Sequence, residues 1–136
     1  MKVVSVLVTL LCLLVLASSA FAAGPTVGKG CTFQWTEPTT NADATPLVDL
    51  KEYRLYLSTT SGSYTTTPAK VIAAPKPNPS TGSNLTTPCP AGIPQGQNYA
   101  VMTAADLAGN ESVFSNEAPF VLDTVAPGAP ITLTPK

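Results

Sequence analysis

The fold of this chain is decided by residues 103–117, which read TAADLAGNESVFSNE. The first residues of this stretch have the character of a strand end. The run DLAGNE is polar and contains glycine, which is typical of a turn, and the residues after it begin another strand. The stretch therefore indicates two β-strands joined by a turn, as in an antiparallel sheet.

Alternating apolar and polar residues extend this β pattern over the rest of the chain. In residues 31–36, CTFQWT, the alternation places Phe33 and Trp35 on one face, and Tyr53 and Leu55 share a face in the same way. After the N-terminal segment, no apolar pattern keeps a helical period for three turns. Turn residues separate roughly seven short segments, which predicts an all-β antiparallel sandwich around Trp35. We expect no reactive group to be buried between its two layers.

Residues 98–105 permit two alternations, because a shift of one residue exchanges the faces of a strand. We predict that the odd-numbered residues point inward, since Tyr99 and Val101 bury more apolar area than Asn98 and Ala100. The inward residues of this strand are then Tyr99, Val101, Thr103 and Ala105. The predicted core consists of Phe33, Trp35, Tyr53, Leu55, Tyr99 and Val101.

The N-terminus has the features of an export signal. Met1-Lys2 is a short basic start, residues 3–16 are almost entirely apolar, and small residues end in Ala20-Phe21-Ala22. We expect cleavage after Ala22, because about 14 apolar residues span only ~21 Å as a helix and the hydrocarbon core is ~30 Å thick. The sequence thus predicts a secreted or periplasmic protein, exported through a Sec-type signal, with no stable membrane insertion after cleavage.

The composition limits which partners the protein is expected to bind and which chemistry its cysteines are expected to have. Seven basic and eight acidic residues leave the net charge close to zero, and no basic stripe favours nucleic acid. Export leaves Cys31 and Cys89, which form a disulfide in the simplest interpretation. Two free thiols or a metal pair are the alternatives, although the chain has no His to complete a zinc site.

The sequence predicts no catalytic residue and no cofactor. Most nucleophilic triads use His as the base, and this chain has none. Asp43, Asp49 and Glu52 are close enough in sequence for paired-carboxylate chemistry, but we interpret them as solvated loop acids. We likewise predict no metal site. The oxygen ligands in residues 106–111 (Asp106, Asn110 and Glu111) suit calcium, yet their spacing does not match an EF-hand loop.

Several motifs together resemble the fibronectin type III family. Residues 33–38, FQWTEP, look like its second strand, and residues 50–56, LKEYRLY, like its third. Residues 93–99, IPQGQNY, resemble the turn with the tyrosine corner, in which a Tyr hydroxyl bonds back to nearby backbone. The stretch 103–117 resembles the last hairpin, and residues 125–130 resemble a junction to a following repeat.

The resemblance covers about residues 27–126 and implies a seven-stranded immunoglobulin-like sandwich over residues 23–126, after a signal peptide at 1–22 and before a linker-like tail at 127–136. It departs from the family at two points. Counted back from Asp106, the family pattern would place Met102 and Ala104 in the core, whereas we predict that the odd-numbered residues point inward. A bulge in this strand would reconcile the two patterns. The family also usually lacks disulfides; here the bond would join the second and fifth strands, neighbours in one sheet.

A fold of this class does not fix a chemistry. The first hypothesis is a non-enzymatic module that contacts a protein or a carbohydrate through loops 39–45 and 107–111 and the proline-rich stretch 75–79. We expect these segments to lie at different ends of the sandwich. The second hypothesis is a structural subunit or spacer, assembled through an open sheet edge or the alternating tail residues 131–134. An enzyme is the third.

Overall fold

Residues 24–129, which the computed structural model describes, fold into seven strands connected by turns and loops. The strands are β1 (Thr26–Val27), β2 (Thr32–Thr36), β3 (Leu50–Ser58), β4 (Lys70–Ala73), β5 (Asn84–Pro88), β6 (Gly96–Asp106) and β7 (Ala118–Leu122). These residues contain no helix long and apolar enough to cross a membrane. The predicted signal peptide, residues 1–22, and the tail residues 130–136 lie outside the described part.

The strands form two sheets, which confirms the all-β architecture. The large sheet has five strands in the order β1-β7-β6-β3-β4, and the small sheet consists of β2 and β5. All neighbours are antiparallel except β1, which runs parallel to β7. The longest ladder joins β3 to β6 from Leu50↔Asp106 to Ser58↔Tyr99, with one irregularity between Leu50 and Glu52.

The core lies between the inner face of the large sheet and the small sheet. Aromatic rings connect the two layers: Phe33 packs on Phe120 with ring centroids 5.4 Å apart, and Trp35 packs on Tyr53 at 5.1 Å. Both pairs meet edge to face, a favourable geometry for aromatic rings. Tyr53 and Leu55 are almost fully buried. The alternation of β2 and β3 therefore places Phe33, Trp35, Tyr53 and Leu55 between the sheets.

The predicted alternation of β6 was wrong. Ala100, Met102 and Ala104 pack in the core clusters between the sheets, so the even-numbered residues point inward. The odd-numbered residues lie on the outer face, where Val101 is nevertheless buried and Tyr99 is half-buried. Burial could not distinguish the faces, because loops cover the outer face as well. The irregularity of the ladder lies in β3, not in β6.

The Cys31–Cys89 disulfide is present and joins the ends of the two strands of the small sheet. The two Cα atoms are 5.4 Å apart, and the Cys89 N–H donates to the Cys31 carbonyl at 3.0 Å. The adjacent ladder pair is Thr32↔Pro88. As predicted, the bond crosses neighbouring strands of one sheet and does not connect the two layers.

Candidate binding site at the loop end

Connecting segments meet where β2 and β6 end and β3 begins; we call this region the loop end. The Leu107 N–H donates to the Asp49 carbonyl at 2.9 Å, which joins loop 107–117 to the segment before β3. The Leu50 N–H donates to the Pro77 carbonyl at 2.9 Å, which brings in the proline-rich stretch. The expectation that these loops lie at different ends was therefore wrong. Hydrogen bonds between residues distant in sequence bring them together.

The loop between β2 and β3 is shaped by its own polar side chains. The Asp43 carboxylate accepts bonds from the Thr45 N–H at 3.0 Å and the Thr45 hydroxyl at 2.6 Å. The Asn41 N–H donates to the Thr45 carbonyl at 2.8 Å, and Ala44 between them has a left-handed φ of 66°. Asp and Asn side chains favour such tight turns because they replace missing backbone partners.

A groove of about 460 Å³ opens between this loop and the end of β6. Buried Leu47 and Leu50 contribute to its lining. The acidic residues along it are Asp43, Asp49, Asp106 and Glu111, and its described lining includes no Lys or Arg. The groove thus combines apolar surface with a negative charge, which favours a partner carrying basic groups.

Local hydrogen bonds keep two of these carboxylates charged. The Thr45 hydroxyl, followed by its amide, holds the pKa of Asp43 below its ordinary value. The Asn110 side chain, which donates to Asp106 Oδ2 at 2.7 Å, lowers the pKa of Asp106 in the same manner. Each carboxylate therefore keeps its charge to a lower pH than an ordinary Asp does, and it already holds a neighbouring turn in place.

The suggested acidic pairs are only partly brought together. Asp43 and Asp49 line the groove, whereas Glu52 accepts bonds from Arg54 Nε at 2.9 Å and Nη2 at 2.8 Å. Asp106 binds Asn110, while Glu111 turns toward Arg54. Among residues 24–129, no three His, Cys, Asp or Glu side chains are grouped as metal ligands.

Glu111 fastens loop 107–117 to the outer face of the large sheet. Its Oε1 accepts bonds from the Tyr56 hydroxyl at 2.7 Å and the Thr103 hydroxyl at 2.5 Å, and Oε2 binds Arg54 Nη1 at 2.5 Å. The Thr103 and Tyr56 hydroxyls, and then Arg54, lower the pKa of Glu111. Because Arg54 is opposite Thr103 in the β3–β6 ladder, the loop is tied to both central strands.

A second acidic side chain fastens loop 59–65 to the same face. Glu117 accepts bonds from the Ser61 hydroxyl at 2.6 Å, the Gly62 N–H at 2.8 Å and the Tyr64 hydroxyl at 2.5 Å. Phe114 packs between the rings of Tyr56 and Tyr64, at centroid distances of 5.3 and 5.5 Å. These contacts explain why Tyr56, Val101 and Thr103 are buried although they lie on the outer face, and no regularity of the sequence indicated them.

Sequence reasoning also missed a buried carboxyl group at the end of β2. Glu37 is only 3% exposed, and the Tyr53 hydroxyl donates to its Oε1 at 3.2 Å. Burial, and then the neighbouring Glu37, raise the pKa of Tyr53 above its ordinary range. Within the described residues, Glu37 Oε2 and the Trp35 indole nitrogen have no hydrogen-bond partner. Nothing in the sequence indicated that a carboxyl group would be buried at this position.

The turn before β6 is closed by Asn98. Its side-chain nitrogen donates to the carbonyls of Pro94 at 2.9 Å and Gly96 at 2.8 Å, and the residue is 1% exposed. The resemblance implied that Tyr99 would bond back to this backbone, but the even-numbered alternation turns Asn98 inward and Tyr99 outward. Asn98 therefore makes the contact expected of the tyrosine.

Comparison with known proteins adds no relative, since no family model, curated protein or solved structure matches this chain. The function must therefore be inferred from the loop end, the sheet edges and the sequence.

Proposed function

We propose that this chain is a secreted or periplasmic, non-enzymatic module of the fibronectin type III class whose loop end binds a protein or carbohydrate partner. The observation that supports this most is that segments from separate parts of the chain together line one groove at the loop end. Loops held by a rigid β framework are frequent binding surfaces. The family assignment itself depends on the motifs and on the order of the strands.

The charges of the groove favour a partner with basic groups. Asp43, Asp49 and Asp106 lie along it, and the hydrogen bonds of Asp43 and Asp106 fix their carboxylates before a partner arrives. Preorganised groups lose less conformational entropy on binding. A protein segment with Lys or Arg, or an amino sugar, would place its positive charge among these carboxylates while its apolar atoms contact Leu47.

The proposal is tested by amide NMR of the exported chain at low salt. The probes are a Gly-Lys-Lys-Gly peptide, its Gly-Glu-Glu-Gly counterpart, and neutral and amino-sugar oligosaccharides. We expect a basic probe to shift the amides of residues 39–49 and 104–112 and the acidic peptide to leave them unchanged. Failure of every probe to shift amides at the loop end would contradict the proposal.

Matched charge variants make this test specific. Asp49→Asn removes one charge from the groove, while Asp123→Asn removes one from an exposed position beyond β7. We expect Asp49→Asn to weaken binding of the basic probe by roughly two- to five-fold, as for an exposed ion pair. Asp123→Asn should have little effect, and an equal loss in both variants would indicate non-specific attraction.

The second candidate function is that of a structural subunit or spacer. It is favoured by the small sheet, in which β2 has a strand partner on one side only among the described residues. Edge strands with unpaired backbone groups readily accept an additional strand.

A further inference from the structure

The open edge of β2 has a defined set of free backbone groups. The Glu37 N–H donates to Ser83 and the Cys31 carbonyl accepts from Cys89, both at 3.0 Å, so odd-numbered residues face β5. Because hydrogen-bonding groups alternate in direction along a strand, the N–H and C=O groups of Thr32, Gln34 and Thr36 face the open edge. An added strand could therefore form backbone hydrogen bonds with these three residues.

The other edges of the described fold each carry a feature that disfavours strand addition. On β5, Pro88 has no N–H, and its carbonyl accepts a bond from Lys70 Nζ at 2.8 Å. Strand β4 has Pro68 and Pro75 close to its ends, and β1 is two residues long. Proline, Lys and short length are the usual protections against strand addition. Strand β2, TFQWT, has no proline and no charge over its five residues.

An apolar groove lies beside this edge, between the two sheets. It has a volume of about 170 Å³ and is lined by Trp35 and Pro38 on one side and by Met102, Val113 and Phe114 on the other. Val113 is 89% exposed. A cavity of about 150 Å³ can hold benzene, so the groove has room for one aliphatic side chain from an added strand.

The N-terminal residues of the described chain are already paired elsewhere. The Val121 N–H donates to the Pro25 carbonyl at 3.0 Å, and a Cβ on Gly24 would collide with the Pro119 carbonyl. Residues 24–27 therefore lie along β7, where their close contact requires glycine at position 24. They do not cover β2.

The C-terminal sequence has the pattern that the edge requires. Residues 131–134 read ITLT, with apolar and Thr side chains in strict alternation, as in β2. Prolines at 127 and 130 disfavour sheet pairing in the stretch that connects it to β7. The N–H groups of Asp123 and Thr124 bond to the Val27 carbonyl and the Gln95 side chain, whereas residues 125–129 are exposed. This exposed connection favours delivery of residues 131–134 to another molecule.

We propose that residues 131–134 of one copy add as a strand to the open β2 edge of a second copy. The backbone of Thr32, Gln34 and Thr36 supplies the hydrogen bonds, and Ile131 or Leu133 enters the groove beside Trp35. Such a head-to-tail contact closes into a ring or continues as an open chain. The inference rests on the second candidate function and identifies its contact surface.

Sedimentation of the exported full-length chain tests the association. We expect the average mass of the wild type to rise with concentration, as for a weak contact of small area, and the Ile131→Asp, Leu133→Asp variant to stay monomeric. Gln34→Pro should also be monomeric, because it removes an N–H that the added strand needs, and its fold should be retained because this N–H does not face β5. Thr32→Lys retains every backbone donor and should be monomeric as well, because Lys on an edge strand opposes strand addition. A wild type that is monomeric throughout would overturn the proposal.

Trp35 reports on the edge directly, because the chain has one Trp. A peptide of residues 129–136, added to the Ile131→Asp, Leu133→Asp variant, should shift the Trp35 emission, and the same peptide with both Asp substitutions should not. A peptide response together with a monomeric wild type would contradict the second copy as occupant. Asp49→Asn should leave association unchanged, which separates this proposal from binding at the loop end.

Discussion

The two sheets of this molecule are stabilised in different ways. The large sheet has four ladders, and Glu111 and Glu117 hold loops against its outer face. Among residues 24–129, the small sheet has one ladder, a disulfide and an open edge. An isolated pair of strands is only marginally stable, so the small sheet needs both its covalent bond and the packing of Phe33 and Trp35. The difference predicts which changes the fold tolerates.

The largest effect is expected from removal of the disulfide. Its cysteines are 58 residues apart, and closing a loop of this length stabilises a fold by about 4 kcal/mol in the chain-entropy model. Cys31→Ala with Cys89→Ala should lower the free energy of unfolding toward that amount in urea titrations. A reductant should reproduce the loss in the wild type and have no effect on the variant. An unchanged midpoint would show that the ladder and the core alone hold the small sheet.

Truncation of a core side chain should lower the free energy of unfolding by nearly as much. Leu55 is 2% exposed on the inner face, and Leu→Ala at such sites costs about 2–5 kcal/mol. Leu107 is 68% exposed, so Leu107→Ala is the matched control and should change stability by less than about 0.5 kcal/mol. Equal losses in the two variants, measured by urea titration, would contradict the assignment of the inner face.

A smaller effect is expected at the outer face. Glu111→Gln removes the charge that binds Arg54, Tyr56 and Thr103, and should cost about 1 kcal/mol because the site is partly exposed. Glu52→Gln also removes a partner of Arg54 but leaves the loop attached, so it should cost less. If Glu52→Gln lowered the free energy of unfolding by as much, the loss in Glu111→Gln would come from the Arg54 ion pair and not from attachment of the loop.

The Glu111 carboxylate should also make the stability of the fold depend on pH. Its neighbours lower the folded pKa of Glu111 below the ordinary value of 4.5. The stabilisation is therefore present above the unfolded pKa and is lost as the pH falls through the folded one. The difference in unfolding midpoint between wild type and Glu111→Gln should shrink below about pH 4.5. A constant difference down to pH 3 would contradict the role of the charge.

The smallest change is expected for Glu117→Gln, because the carboxylate is exposed and the amide retains some of the hydrogen bonds to Ser61 and Tyr64. Hydrogen exchange of the Gly62 amide, which donates to Glu117, should be faster in the variant. Protection equal to that of the wild type would show that loop 59–65 is held by Phe114 instead.

The strands and the disulfide could be predicted from local signals, because alternation and cysteine number are properties of the sequence itself. The face of β6 could not, since Val101 and Thr103 on the outside are as buried as Ala100 on the inside. The meeting of several loops at the loop end could not be predicted either, because it depends on hydrogen bonds between residues distant in sequence, such as Leu107 and Asp49. The burial of Glu37 depends equally on Tyr53, far away in the sequence.

The decisive measurement is amide hydrogen exchange in β2 of the monomeric Ile131→Asp, Leu133→Asp variant. We expect the exchange rates to alternate: the amides of Phe33 and Trp35, which face β5, exchange slowly, and those of Thr32, Gln34 and Thr36, which face the open edge, exchange rapidly. In the associated wild type, the amides of Thr32, Gln34 and Thr36 should become protected from exchange. Uniform protection or uniform exchange along β2 of the monomeric variant would contradict both the pairing of the small sheet and its open edge.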